Sequence, residues 1–228
     1  MIQRTVTLLT ATLAAAVLLS GCVSDTGGAS EDGGSKKGKG PDPAAAKALT
    51  QRQAQAVLPN AAAVPGWKPL AEPVGIAMDS EAGKRFCPGT YRKGCDGGRF
   101  QGLATYFDRS TKTQLDFWLI AYQDEKSAEN GNDTLGKYFG PSVGRDPKKI
   151  DIGEVGDERF AQRGAMGAAG GPATLAQVRV GATLIWVETS TAGTDTVPDD
   201  RVKAFAAMLA ERAEQAEQGE TPSAGLDG

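Results

Sequence analysis

Histidine does not occur anywhere in the 228 residues. Its absence removes the commonest general base, the usual partner of a serine or cysteine nucleophile, and the commonest metal ligand. Excess basic charge is missing too. Twenty-five lysines and arginines face 28 acidic residues, a formal net charge of −3, with no positive cluster of the kind nucleic acid requires. Cysteine occurs three times, and aromatic residues make up only 6% of the chain. These gaps point to a protein that is not an enzyme, holds no cofactor or metal, and binds no nucleic acid. An enzyme built from this sequence would have to use paired carboxylates or lysine.

The motifs that match by letters do not restore catalysis. Gly140-Pro141-Ser142-Val143-Gly144 fits G-x-S-x-G, but the nucleophile elbow needs a strand before the serine, a helix after it and a later histidine. Here a helical pattern precedes it and Arg145-Asp146-Pro147 follows. Asp124, Glu125, Glu129 and Asp133 form an acidic cluster at helix-like spacing, without the EF-hand pattern. Gly164 to Gly171 (GAMGAAGG) reads as a flexible loop, lacking the spacing of a phosphate cradle.

What is present is an address. Arg4 precedes an uncharged apolar run, Val6 to Leu19, which ends in Ser20-Gly21-Cys22. That layout is a secretory signal, too short and wrongly flanked for an ordinary spanning helix. Leu19-Ser20-Gly21-Cys22 resembles the bacterial lipobox. The resemblance implies a signal peptide over 1–21, diacylglycerylation of the Cys22 thiol with palmitate-type chains, and a mature chain that starts at Cys22. A plain secretory signal or an uncleaved anchor is the alternative. Two or three acyl chains hold a protein stably on a bilayer where one holds it marginally. The expected location is the outer side of the cell membrane, with membrane lipid as the first partner. Residues 22–43 carry the lipidated cysteine and a Gly-, Ser- and charge-rich tether with a span of about 25 Å.

Cys87 and Cys95 remain. In an oxidising compartment such a close pair predicts a disulfide, worth about 2.5 kcal/mol on the chain-entropy estimate. Residues 44–218 read as a single extracytoplasmic domain, and 219–228 as a disordered tail.

Within the domain, Thr50 to Gln53 matches a capping box, with Leu49 and Ala54 as a staple, opening a helix that ends at Pro59. Arg99 to Asp108 and Gln114 to Tyr122 predict one hairpin, and Leu175 to Val180 and Thr183 to Thr189 a second that turns through Gly181. An edge strand near Glu158 to Arg163 precedes the second. Asp124 to Phe139 predicts a middle helix, although Gly131 and Gly136 weaken its pattern. A closing helix is capped by Thr196 and carries the stripe Val202, Phe205, Ala206, Leu209, Ala213 and Ala216. The class is α+β, an antiparallel sheet of two hairpins plus edge strands packed with N-terminal, middle and C-terminal helices. The segregation of strands and helices favours cover on one face. Yet Trp118, Ile120 and Tyr122 share one face of their strand while Phe117 and Leu119 take the other, so something covers each side, whether helices on both or a groove for a ligand.

Trp67, Trp118 and Trp186 are candidates for lining a pocket, with core packing as the ordinary alternative. The candidate ligand residues are Trp118, Tyr122 and Trp186, at least one of which should line a cleft. The order LTQRQAQAVLP, VPGW, a cysteine-bridged segment, Val155-Gly156-Asp157-Glu158, RVGATLIWV and a final amphipathic helix resembles a broader group. These are the sensor-domain lipoproteins of high-GC Gram-positive bacteria, kin to the outer domains of their transmembrane Ser/Thr kinases. The resemblance spans roughly 48 to 216 and implies an antiparallel sheet, flanking helices and a cleft. The single close cysteine pair departs from the two longer bridges associated with the kinase domains.

The expected function is a membrane-anchored, non-catalytic binding or sensor domain of the cell envelope. An envelope assembly or structural factor that binds a protein partner is the alternative. A large apolar cleft would favour the first and a flat apolar patch the second, while convergent carboxylates with perturbed pKa would favour an enzyme.

Overall fold

Thr50 opens the first helix as its spacing predicts. Its hydroxyl accepts from the Gln53 amide at 3.3 Å, and the Gln53 side chain accepts from the Thr50 amide at 3.0 Å. The computed structural model describes residues 48–227 except 88 and 145. The signal peptide, Cys22 and the tether lie outside the described residues. The helices are α1 (Gln51–Val57), α2 (Glu81–Phe86), α3 (Glu125–Phe139) and α4 (Asp199–Glu217). The strands are β1 (Lys68–Pro69), β2 (Val74–Ala77), β3 (Gly98–Asp108), β4 (Thr113–Tyr122), β5 (Lys148–Lys149), β6 (Glu158–Gly164), β7 (Ala173–Val180) and β8 (Thr183–Thr191).

Among the described residues the strands form one antiparallel sheet in the order β1-β3-β4-β8-β7-β6-β5, with β2 also paired to β3. Both predicted hairpins are there, β3–β4 and β7–β8, joined at the centre by β4 against β8. The class is therefore α+β, as its patterning implies. Pattern analysis does not find β2 or α2, because four and six residues are too few for a period to show.

Cover on one face gives way to cover on both. Phe117, Leu119 and Tyr106 face one core with Val57 of α1 and Phe205 and Leu209 of α4. Ile120, Tyr122, Leu184 and Trp186 face a second core with Ala128 and Leu135 of α3 and Phe86 of α2. The physical reason was already visible in β4: a strand apolar on both sides stays out of water only in a middle layer.

Two local expectations change. Helix α4 starts after Pro198 with no side-chain cap, so Thr196 is not its N-cap. Arg163 holds that end instead, donating to the Val197 carbonyl and pairing with Asp199 at 2.7 Å. The tail is not disordered in character: Leu226 donates its amide to the Ala63 carbonyl at 2.9 Å, and the amide of Ser223 donates to Gln215 at 2.7 Å. Leu226 and Ala224 pack on the first core, and this apolar contact is hidden in a polar, glycine-containing composition.

Residues Gly140–Val143 form a 3₁₀ turn directly after α3. No strand leads into Ser142, so the elbow motif is coincidental. Among the described residues no group of side chains could hold a metal ion, and no helix is long and apolar enough to cross a membrane.

Candidate functional site

The register of β4 against β8 places Trp118 directly opposite Trp186. Two more rings close over them from the helices. Phe86, at the end of α2, lies 5.5 Å from Trp118, and Phe139, at the end of α3, lies 5.5 Å from Trp186. Phe86 and Phe139 are 6.4 Å apart, so ring contacts run from Trp118 through Phe86 and Phe139 to Trp186, and the two tryptophans stand opposite each other across the ladder. With Leu175 and Glu188 they line an apolar slot of about 60 Å³ that opens to solvent.

Each wall has a local cause. Ser80 caps α2 by accepting from the Gly83 amide at 3.1 Å. Cys87 follows Phe86 immediately and is bonded to Cys95, with Cα atoms 6.2 Å apart. The predicted disulfide thus ties down the segment that carries the Phe86 wall. Phe139 ends a helix capped by Asp124, whose side chain accepts from the Ser127 amide at 2.7 Å. Trp186 is locked by its own indole, which donates to Gln177 Oε1 at 2.6 Å. Gln177 in turn donates to Asn132 Oδ1 at 2.6 Å, and Asn132 to Glu158 at 2.7 Å. Arg179 closes this polar chain on Glu158 at 2.8 Å. Once its N–H is satisfied, the Trp186 ring is held in one orientation.

One charged group reaches the slot. Glu188 is half-buried and stands directly opposite Asp116 across the β4–β8 ladder. Asp116 is already satisfied by Thr105 Oγ1 at 2.6 Å and Gln114 Nε2 at 2.7 Å. Glu188 makes no hydrogen bond or ion pair among the described residues. Burial, and then the Asp116 charge, push its carboxyl up to about 7. Its neighbours on this face of the sheet are Trp186, Ser190, Leu175 and Asp116, none of them basic. Beyond the slot the same face continues along β3 through Leu103, Thr105 and Phe107, all half-exposed.

A larger groove, about 600 Å³, lies on the other side of α3, between that helix, residues 149–153 and β6. Several of its polar groups are engaged within the protein: Asn132 with Gln177 and Glu158, Gln162 with the Gly140 carbonyl, and Arg159 with Glu154. The slot is smaller, but it is apolar and holds a half-buried carboxylate, Glu188.

Of the three candidate ligand residues, Trp118 and Trp186 meet at the slot and Tyr122 does not. Tyr122 is fully buried beneath α3, donating to the Gly94 carbonyl at 2.6 Å, and burial raises its hydroxyl above the usual range. Trp67 packs edge-on to Phe205 at 5.8 Å in the opposite core. Sequence reasoning missed Phe86, Phe139 and Glu188. The signal for Glu188 was an acid inside TLIWVET matched by another inside QLDFWLIAY, each an exception in an apolar strand.

No family model matches this chain, and no curated protein matches it. Among solved structures it is similar to the extracellular domain of PknH from Mycobacterium tuberculosis, at 12% identity and a TM-score of 0.48. That likeness covers 77% of this chain and 100% of the other.

Proposed function

We propose that the chain is a lipoprotein of the cell envelope, held to the outer side of the membrane through Cys22, whose domain binds a ligand without transforming it. The observation that carries the binding reading is the row of Trp118, Phe86, Phe139 and Trp186 around an open apolar slot. Phe86, Trp118 and Phe139 are partly exposed over a buried Trp186, and apolar rings held on a locked framework suit recognition, since the cost of ordering them is met in folding. At about 60 Å³ the slot seats one side-chain-sized group, and the strip Leu103–Thr105–Phe107 offers contact to the remainder. The signal-like amino end and the resemblance to sensor-domain lipoproteins support the envelope address.

The test is thermal unfolding of the full-length chain in detergent against fractionated envelope lipids, peptides and glycans, with tryptophan fluorescence alongside. A binding fraction at a hundredfold excess over its Kd stabilises the fold by about 2.7 kcal/mol. Trp118→Ala abolishes that shift. If no fraction acts and crosslinking in cells recovers a protein on another face, the domain is an assembly factor.

The Asp116–Glu188 pair favours one second reading, an enzyme using two carboxylates. Both Asp116 oxygens are held by Thr105 and Gln114, which leaves Glu188 as the one carboxyl at the slot. Recovering the bound ligand chemically unchanged after prolonged incubation would reject the enzyme, and finding it cleaved would reject the binding domain.

A further inference from the structure

The slot is asymmetric: it is lined by four rings, a leucine and a single carboxylate, Glu188. Among the described residues no basic side chain of the sheet pairs with that carboxylate. Like charges directly opposite on adjacent strands destabilise a sheet, and here Asp116 and Glu188 are such a pair, with no lysine or arginine beside them on that face. Aromatic faces and carboxylates share one preferred guest, an organic cation. We propose that the slot binds the side chain of a lysine-type residue, its methylenes between Trp118, Phe86 and Phe139 and its ammonium on Glu188, with Asp116 adding to the field. This inference rests on the slot being the binding site.

Size and charge narrow the class. A slot of about 60 Å³ takes the end of an unbranched alkyl arm. A phosphoethanolamine head is short enough but carries its phosphate two carbons from the amine, where it would meet both Asp116 and Glu188. A lysine side chain keeps four methylenes between ammonium and backbone, so its peptide can lie along Leu103, Thr105 and Phe107. No covalent step is involved.

The experiment titrates the ¹⁵N-labelled full-length chain in detergent at pH 8 with Nα-acetyl-lysine methylamide. A parallel titration uses Nα-acetyl-norleucine methylamide, which has nearly the same arm without the ammonium. The indole N–H signals of Trp118 and Trp186 are followed. The lysine probe should shift both and bind at least tenfold more tightly than the norleucine probe. Glu188→Gln should remove that tenfold preference, with an unfolding midpoint at or above the parent's to show that the variant folds. Equal or tighter binding of norleucine overturns the cation inference and leaves an apolar slot. Tighter binding of phosphoethanolamine overturns it as well, in favour of a lipid head group. If neither amino-acid probe moves either indole signal, the inference and the slot reading fall together.

Discussion

Gly131 sits in the second turn of α3, where alanine would normally stabilise a helix by about 1 kcal/mol. Here a Cβ would overlap the hydroxyl of Tyr122, which is buried and pinned to the Gly94 carbonyl. Gly131→Ala is therefore expected to destabilise the fold by about 1–3 kcal/mol, the usual range for overpacking, when measured by denaturant unfolding. Arg212 is a second residue whose role is set by its partners. Its guanidinium is buried against the end of α1 and donates to the carbonyls of Ala56 at 2.8 Å, Val57 at 2.7 Å and Leu58 at 3.2 Å, and to Ala224 at 2.8 Å. The carbonyls of Ala56, Val57 and Leu58 are ones a helix leaves without internal partners at its C-terminus, where a cation is also favoured by the dipole. Arg212→Met keeps the bulk and removes every donor. A loss of about 3 kcal/mol or more should follow, with faster amide exchange at Leu226 as the tail comes away.

At the level of elements, the junction of β8, α4 and the sheet holds a second raised carboxyl. Glu217, in the last turn of α4, accepts from the Ala182 amide at 3.0 Å and from Thr183 Oγ1 at 2.9 Å. Burial outweighs both bonds and, with Asp157 and Glu125 adding repulsion, pushes it up to about 7. Glu188 lies at about 7 as well, facing Asp116 on β4 and uncharged Phe86, Phe139 and Leu175 on the other elements around it. A carboxyl that holds its proton more tightly folded than unfolded adds stability that is complete below its unfolded pKa of about 4.5 and lost as pH rises through about 7. The unfolding midpoint should therefore rise as pH falls from 8 to 5. Glu217→Gln keeps an acceptor for Ala182 and Thr183, so it should raise the pH 8 midpoint and flatten the profile. A midpoint that falls steadily over that interval would contradict both assignments. The disulfide acts at the same scale. Replacing Cys87 and Cys95 by serine should cost no more than about 2.5 kcal/mol, because the loop is short. It should also free Phe86 from its place over Trp118, seen as a change in tryptophan emission and weaker binding at the slot.

At the scale of the whole molecule, the amino end and the domain make separate demands. The anchor proposed at Leu19-Ser20-Gly21-Cys22 predicts that intact-mass analysis of native protein finds Cys22 as a diacylated first residue. Cys22→Ser should leave unprocessed precursor or a soluble form. An unmodified Cys22 in the mature protein would reject the anchor.

Periodicity and local chemistry determined most of the frame. The capping box at Thr50, the alternation in RFQGLATYFD and QLDFWLIAY, the stripe of α4 and the close cysteine pair are each read within about 20 residues, because hydrogen bonding and burial repeat along one element. The doubly apolar face pattern of β4 called for cover on each side, by helices on both or by a ligand groove, and the structure supplies helices on both. What joined β4 to β8 was not legible: the partners lie about 70 residues apart, and nothing local says that Trp118 will stand opposite Trp186. Nor could the short polar run ETPSAGLD announce that residues 220–227 dock, since bonds to Ala63, Arg212 and Gln215 and the packing of Ala224 and Leu226 on the core decide it. The slot is of the same kind. Its rings come from α2, β4, α3 and β8, and Glu188 became a half-buried carboxylate at the slot only once strand pairing set it against Asp116 with no basic neighbour, a fact of register and packing that no single segment carries.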